Sequence, residues 1–335
     1  MTGDEGVTVS EAAVRCALAT LEVTELPARL AAAAAADPEV SAIAAGRAEP
    51  AGDWPAELPR LVVVRVGEDL LRTMAPGSRF RYATAPVAPV QPIGPDWLGA
   101  HAAVVLGAVR AAARLRAWDL SAALATAVWP VAPADTGLDW ARAVAKWGAE
   151  AAVAARDRRA FVRLLAAGAA WFADRGDFLT AEAFGVRELA ARERLGDPAG
   201  LADVLTRRGH VYRRWGRLHR AMDCYRRLLV VEQGREDPLG TARALALFGT
   251  VLLDARRTAP ALAHLERAVG VFAGLGRPVE HARALVALGT ALWRDDNPRL
   301  ARRRLSEALA LLVDHDERGA AEVRALLADP DRLLG

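Results

Sequence analysis

Five classes of position return every forty residues in the second half of this 335-residue chain. Agreement of several residue types on one interval indicates a stack of structural repeats, in which each repeat buries its apolar face against its neighbours. The columns are Ala169, Gly209, Gly249 and Gly289; Ala181, Ala221, Ala261 and Ala301; Leu165, Leu205, Leu245 and Leu285; Phe172, Tyr212, Leu252 and Leu292; and Pro198, Pro238 and Pro278.

Each repeat is predicted to be a pair of helices, A and B. A small residue lets the neighbouring helix approach, and large residues three or four positions away fill the remaining space. In the second repeat, Gly209 belongs to helix A, and helix B covers about residues 217–233. Gly216 lies between them, where a tight turn needs an unhindered backbone. Pro238 then starts the next repeat, because proline is well tolerated at the first helical position.

The second repeat resembles the tetratricopeptide repeat pattern. Gly209, Tyr212, Ala221 and Tyr225 match that pattern, while Arg208 replaces its leucine. The resemblance implies a right-handed α-solenoid of the tetratricopeptide type. A forty-residue period exceeds the usual thirty-four, and we expect the excess in helix B. The first repeat matches the pattern least well. It has Gly185 and Glu188 at positions where the other repeats have large or small apolar residues.

Longer repeats of this kind are similar to those that follow a signal-transduction NTPase module in large actinobacterial regulators. The stretch 96–130, followed by residues 137–147, resembles the helical linker that precedes the repeats in those regulators. No Gly-x-x-x-x-Gly-Lys-Ser/Thr loop occurs, so the NTPase module itself is absent from this sequence.

Residues 1–95 have a different pattern. Short helical signals lead into a β-branched run at 61–66 and an alternating run at 79–84, with a Pro-Gly turn between them. These signals predict a small α+β domain that resembles a winged helix and ends in a proline-rich linker. The predicted organisation is therefore 1–95 for this domain, 96–160 for a helical linker or divergent repeats, and 161–330 for repeats with a capping helix at about 316–327.

Motifs for catalysis and for cofactors are missing from the sequence. It contains no His-Glu-x-x-His, Cys-x-x-Cys or Gly-x-Ser-x-Gly sequence, and its two cysteines, Cys16 and Cys224, are too few for a thiolate metal site. We therefore expect no enzyme activity, no metal and no cofactor. No apolar run is long enough to span a membrane and no secretory signal is visible, which favours a cytoplasmic protein.

The charge is unevenly distributed along the chain. Residues 1–135 contain 11 arginines and 15 acidic residues, whereas residues 136–335 contain 33 basic and 26 acidic residues. A negative amino-terminal half without a clustered basic helix argues against DNA binding by that half.

The A helices of a solenoid line its concave groove, so their polar positions are the predicted binding site. Arginine there favours an acidic protein or peptide segment. The alternative is that these arginines are the solvated faces of amphipathic helices. The predicted groove residues are Arg163, Asp203, His210, Arg213, Arg214, Arg243, Thr250, Asp254, Arg283, Thr290 and Arg294.

The sequence thus predicts a regulatory scaffold that binds a protein or peptide segment, as a monomer or a homodimer. The alternative function is that of a transcriptional regulator, or another protein associated with nucleic acid, that acts through residues 1–95.

Overall fold

The computed structural model describes residues 95–329, except for residues 115, 131 and 133–135. The predicted α+β domain of residues 1–95, with its proline-rich linker and the DNA-binding alternative, lies outside the described residues. The chain divides into two compact units, Met1–Arg175 and Gly176–Gly335. Within the described ranges all regular structure is helical.

The described part of the first unit is a set of four helices that pack on one another. These helices are α1 (Pro95–Arg114), α2 (Trp118–Ala127), α3 (Leu138–Ala154) and α4 (Arg158–Asp174). Trp129, which follows α2, packs against Trp171 and Phe172 of α4, with ring centroids 5.6 and 5.9 Å away. The region predicted as a helical linker or divergent repeats is therefore helical.

The second unit is an array of helices in which each packs on the next along the chain. This arrangement is that of an α-solenoid, as the forty-residue interval predicts. The helices are α5 (Phe178–Leu195), α6 (Pro198–Arg214), α7 (Leu218–Gly234), α8 (Pro238–Asp254), α9 (Thr258–Gly274), α10 (Pro278–Arg294), α11 (Pro298–Leu312) and α12 (Glu317–Ala328).

The A helices of this unit are α6, α8 and α10, which begin forty residues apart. The predicted helix-starting prolines Pro198, Pro238 and Pro278 stand in their first turns. Helices α6 and α7 contain 17 residues each. Helix A and helix B of this repeat are therefore equally long, and the placement of the excess in helix B stays a prediction.

Helices in both units end in the same kind of turn, which returns every twenty residues. At the end of α6, the N–H of Gly216 donates to the carbonyl of Arg213 at 3.1 Å, and the N–H of Arg217 donates to the carbonyl of Tyr212 at 2.8 Å. This pair of hydrogen bonds is a Schellman motif, which requires a left-handed residue after the helix. The left-handed residues are Arg116, Arg156, Gly176, Gly196, Gly216, Glu236, Arg256, Gly276 and Asp296.

Most of these turns also start the next helix. Asp197 and Asp237 follow the left-handed residue, and their carboxylates accept the backbone N–H of Gly200 and Gly240, both at 2.9 Å. An aspartate at this position satisfies one of the free N–H groups at the beginning of a helix. Only two or three residues therefore separate α5, α6, α7, α8, α9, α10 and α11 from one another along the chain, which holds consecutive helices antiparallel and in contact.

The glycine column marks the closest contact within each helical pair. A methyl group at Gly209 would lie only 2.3 Å from the buried ring of Tyr225, and one at Gly249 only 2.6 Å from Leu265. The small residues predicted to let neighbouring helices approach therefore do so. Tyr225 and Leu265 are fully buried at these crossings.

The left-handed turns yield a prediction about stability. A methyl group at Gly216 would meet no atom within 4 Å, so Gly216→Ala costs only the strain of the left-handed backbone. We expect Gly216→Ala to lower the free energy of unfolding by about 1 kcal/mol, and Arg256→Gly to raise the midpoint of urea unfolding. Midpoints that move in the same direction in both variants would contradict this assignment.

Candidate functional site

The solvent-accessible stripe of α6, α8 and α10 contains nearly all the predicted groove residues, and we call it the A-helix face. In α8 the flanking residues Ala242, Leu245 and Leu252 are buried in the core. The face consists of Asp203, Thr206, Arg207, His210, Arg213 and Arg214 from α6; Arg243, Ala246, Leu247, Thr250 and Asp254 from α8; and Arg283, Val286, Ala287, Thr290 and Arg294 from α10. Arg163 is exposed on α4, in the first unit.

A row of ion pairs crosses the amino-terminal ends of these helices. Arg243 of α8 donates to the carboxylate of Glu280 on α10 at 3.0 Å, and Arg277 donates to the same oxygen at 2.8 Å. Arg283 of α10 reaches Asp316, the capping residue of α12, at 3.5 Å. Two of the arginines predicted to bind an acidic segment thus form ion pairs within the chain, Arg243 with α10 and Arg283 with the cap of α12.

A second set of polar contacts crosses the carboxyl-terminal ends. Arg213 of α6 donates to Asp254 of α8, and this hydrogen bond raises the pKa of the Arg213 guanidinium. Arg294 of α10 donates to the carbonyl of Leu253 at 3.0 Å. The predicted residues Arg213 and Asp254 therefore form an ion pair between two repeats. Arg214 lies over the ring of Phe178, 5.8 Å from its centroid.

Three other predicted residues, Thr250, Thr290 and His210, also have partners within the chain. The hydroxyl groups of Thr250 and Thr290 donate to the carbonyls of Ala246 and Val286, four residues earlier. His210 Nδ1 lies 3.2 Å from the hydroxyl of Tyr225. Burial of its ring, with a smaller contribution from the Arg213 cation, lowers the pKa of His210. This partial desolvation favours the neutral form of the imidazole.

Between the two sets of ionic contacts, the centre of the A-helix face is apolar on α8 and α10, whereas α6 has Thr206 and Arg207 there. Ala246 and Leu247 of α8 and Val286 and Ala287 of α10 are all half-buried and reach solvent at the centre of their helices. We call these four residues the apolar floor. Apolar surface flanked by satisfied charges gives a bound segment hydrophobic burial at its centre and polar contacts at its edges.

Asp203 breaks the pattern of the amino-terminal row, because α8 and α10 have Arg243 and Arg283 at the equivalent position. It lies near Glu232, a buried residue of α7 that pairs with Arg235 at 2.6 Å. Burial raises the pKa of Glu232, and the charge of Asp203 adds to the increase. At this one position of the amino-terminal row, α6 therefore has an acidic side chain where α8 and α10 have an arginine.

The junction between α5 and α6 contains a buried ionic network. Glu188 is fully buried, and its carboxylate accepts from Arg207 of α6 at 2.6 Å and from Arg192 at 2.8 Å. The residues equivalent to Glu188 and Arg207 in the next repeat are the apolar Leu228 and Leu247. The weak match of the first repeat thus reflects a buried ionic network.

A second polar group lies at the same junction. The hydroxyl of Tyr212 donates to Glu182 of α5 at 2.6 Å and accepts from Arg208 at 3.0 Å, and Arg220 of α7 donates to Glu182 at 2.8 Å. The aliphatic part of Arg208 occupies the space that Gly185 leaves open. Arg208, which replaces the leucine of the tetratricopeptide pattern, therefore packs on α5 at Gly185 and hydrogen-bonds Tyr212, whose hydroxyl joins α6 to Glu182 of α5.

Sequence reasoning missed the acidic partners Glu182, Glu188, Glu280 and Asp316. The sequence contains a signal for Glu188 alone, because the other repeats have an apolar residue at the equivalent position. The others lie 33 to 38 residues from the arginines that they contact, and no column of the repeat links them.

The described residues contain neither a metal cluster nor a membrane-spanning helix. No cluster of three histidine, cysteine, aspartate or glutamate residues in residues 95–329 could hold a metal ion. None of the helices in that range is both long enough and apolar enough to cross a lipid bilayer.

Comparison with known proteins identifies the fold. No protein-family model and no curated protein matches the chain. BtubC (BKLC) from P. vanneervenii is similar in its crystal structure, with a TM-score of 0.51 and 22% identity over 60% of this chain and 85% of that chain.

A second similar structure is that of a signal transduction ATPase with numerous domains (STAND protein) from Pyrococcus horikoshii, which has a tetratricopeptide repeat sensor. The TM-score is 0.50 and the identity 11%, over 86% of this chain and 45% of that chain. This chain thus spans less than half of the STAND protein. At these identities the likeness shows the fold alone, which is an array of tetratricopeptide-like helical repeats.

The buried junction between α5 and α6 gives a prediction about stability. Glu188→Leu would leave Arg207 without its carboxylate, and we expect a loss of about 3 kcal/mol in the free energy of unfolding. The double variant Glu188→Leu, Arg207→Leu copies the next repeat and should recover most of that loss. Urea unfolding followed by circular dichroism measures both, and a double variant no more stable than the single one would contradict the prediction.

The amino-terminal row of ion pairs gives a prediction about pH. Hydrogen bonds from Arg277 and from Arg243 lower the pKa of Glu280 to about 2, from an ordinary value of 4.5. Because this folded-state pKa is depressed, the pair stabilises the fold above the ordinary value, and the contribution disappears as the pH falls towards 2. Carboxyl carbon NMR should show the Glu280 midpoint rising towards 4.5 in Arg277→Gln; an unchanged midpoint would refute the assignment.

Proposed function

We propose that this protein is a binding scaffold whose A-helix face holds a segment of another protein, and that it acts without catalysis. The apolar floor of the face is the observation that carries the proposal. Ala246, Leu247, Val286 and Ala287 all reach solvent, although the neighbouring residues of their helices are fully buried. Apolar surface bordered by polar groups is the usual composition of a protein interface.

The charges of the face support a partner bound mainly by apolar contacts. Arg213, Arg243 and Arg283 have acidic partners in the chain, so a carboxylate of an incoming segment must compete with Asp254, Glu280 or Asp316. Ion pairs that are partly exposed contribute little to affinity, whereas they set orientation and exclude mismatched charges. Recognition of a strongly acidic segment stays a prediction. Among the three arginines, Arg283 is the one at which a carboxylate of the segment competes most easily, because its ion pair is the longest.

The internal contacts of the face also favour a rigid binding surface. The pairs Arg213–Asp254 and Arg243–Glu280 connect consecutive A helices, and Thr250 is held to its own helix. A surface whose side chains are already ordered loses less conformational entropy when it binds. The proposed mechanism is therefore docking on a preformed face.

The proposal is tested by blocking the floor without changing charge. Thr250→Trp places a bulky ring at the centre of the A-helix face, and Val230→Trp places the same ring on the exposed surface of α7, where Val230 is 66% exposed. Affinity capture with the full chain from its native extract should retain a partner with wild type and with Val230→Trp, and lose it with Thr250→Trp. Circular dichroism checks that both variants fold.

Equal retention of the same protein by all three forms would contradict binding on the A-helix face. The partner identified in this way also provides segments for binding measurements with purified components.

A further inference from the structure

A cleft of about 400 Å³ lies at the carboxyl-terminal end of the A-helix face. Its apolar lining comes from Val286 of α10, Leu312 of α11, and Val323 and Leu326 of α12. Charged groups at its rim are Arg283, Asp316, Arg318 and Glu322. This volume falls in the range of roughly 300–1,000 Å³ that is usual for pockets that enclose a ligand.

The cleft is continuous with the apolar floor. Val286 and Arg283 belong both to the A-helix face and to the lining of the cleft. A segment that lies along the floor therefore reaches the cleft at its α10 end. Because a concave cleft removes more of a side chain from water than a flat floor does, it is the natural place for an anchor residue.

The two arginines at the rim, Arg283 and Arg318, form long and exposed ion pairs. The side chain of Arg283 is 72% exposed and lies 3.5 Å from Asp316, whereas Arg243 lies 3.0 Å from Glu280. Arg318 is 91% exposed and lies 3.3 Å from Glu322. Such long, exposed pairs gain little from their mutual attraction, so both guanidinium groups are available to a third carboxylate.

Asp316 is committed to another contact. Its carboxylate caps α12 by accepting the backbone N–H of Gly319 at 2.9 Å. This cap holds Asp316 in place whether or not Arg283 pairs with it. An incoming carboxylate can therefore take over Arg283 without leaving a buried charge in the chain unpaired.

We propose that the cleft is the anchor pocket of the A-helix face, and that it takes a bulky apolar side chain of the bound protein segment with a carboxylate at the adjacent position. The apolar side chain enters between α10 and α12, and the carboxylate pairs with Arg283 and Arg318. This assignment rests on the proposed function and specifies the chemistry of the partner at one end of the face.

Short peptides of defined sequence test the assignment on the full chain. In a glycine and serine background, the central pair is Phe-Asp, Phe-Lys or Ala-Asp, and binding is followed through the amide NMR signals of Gly319 and Val323. We expect Phe-Asp to bind about tenfold more tightly than either of the other two peptides, since each of them lacks one of the two interactions.

Charge reversal provides the decisive variant. Arg283→Glu with Arg318→Glu should invert the preference, so that Phe-Lys binds more tightly than Phe-Asp. The matched control is Arg299→Glu with Arg302→Glu, which reverses two exposed arginines on α11 outside the cleft and should leave the preference unchanged. Equal binding of Phe-Asp and Phe-Lys by wild type, or an equal loss in the control, would overturn the assignment.

The partner obtained from the capture experiment separates this inference from the proposed function. If Thr250→Trp abolishes binding of that partner and the cleft variant binds it as wild type does, the A-helix face is functional and the anchor pocket is wrong. If the cleft variant weakens binding at least about fivefold and the control does not, the anchor pocket is supported.

Discussion

The left-handed turn that ends most helices of the array is the constraint on which the rest of the array depends. At the end of α6, the N–H of Arg217 donates to the carbonyl of Tyr212, and Arg217 is itself the capping residue of α7. Equivalent turns repeat this arrangement along the array. With turns twenty residues apart, the helices of the repeats have nearly the same length. Equal lengths bring the same helical position to the same side in every repeat, and this creates a continuous A-helix face.

This regularity explains what the sequence could predict. The columns of glycine, leucine and proline have a physical cause in helix crossings and helix starts, so the helical repeats follow from the interval. The interval also locates many polar positions of the face, but it does not reveal the apolar floor. The twenty-residue rhythm itself was hidden, because only Gly176, Gly196, Gly216 and Gly276 mark left-handed positions, while arginine, glutamate and aspartate occupy the others. Those residues tolerate the conformation at a cost and leave no compositional signal.

The charge partners could not be predicted, for a different reason. A long arginine side chain can reach several acidic groups on the next helix, and the choice depends on crossing geometry that a repeat interval does not contain. The arginines that suggested a basic groove are thus largely neutralised by the chain itself, through Asp254, Glu280 and Asp316. The parts of the surface that remain available to a partner are the apolar floor and the cleft beside α12. Both depend on how α10 packs against its neighbours, so the sequence alone does not reveal them.

The buried pair of Glu188 and Arg207 has a consequence for how such an array changes over generations. Repeats joined by apolar contacts, such as those that include Leu228 and Leu247, can be exchanged or duplicated with little penalty, because each surface accepts any similar neighbour. Across the α5 to α6 junction, an exchanged repeat would leave one buried charge without its counterpart. The two helices are therefore expected to be inherited as a matched pair, which fixes the start of the array while its later repeats remain free to vary in number.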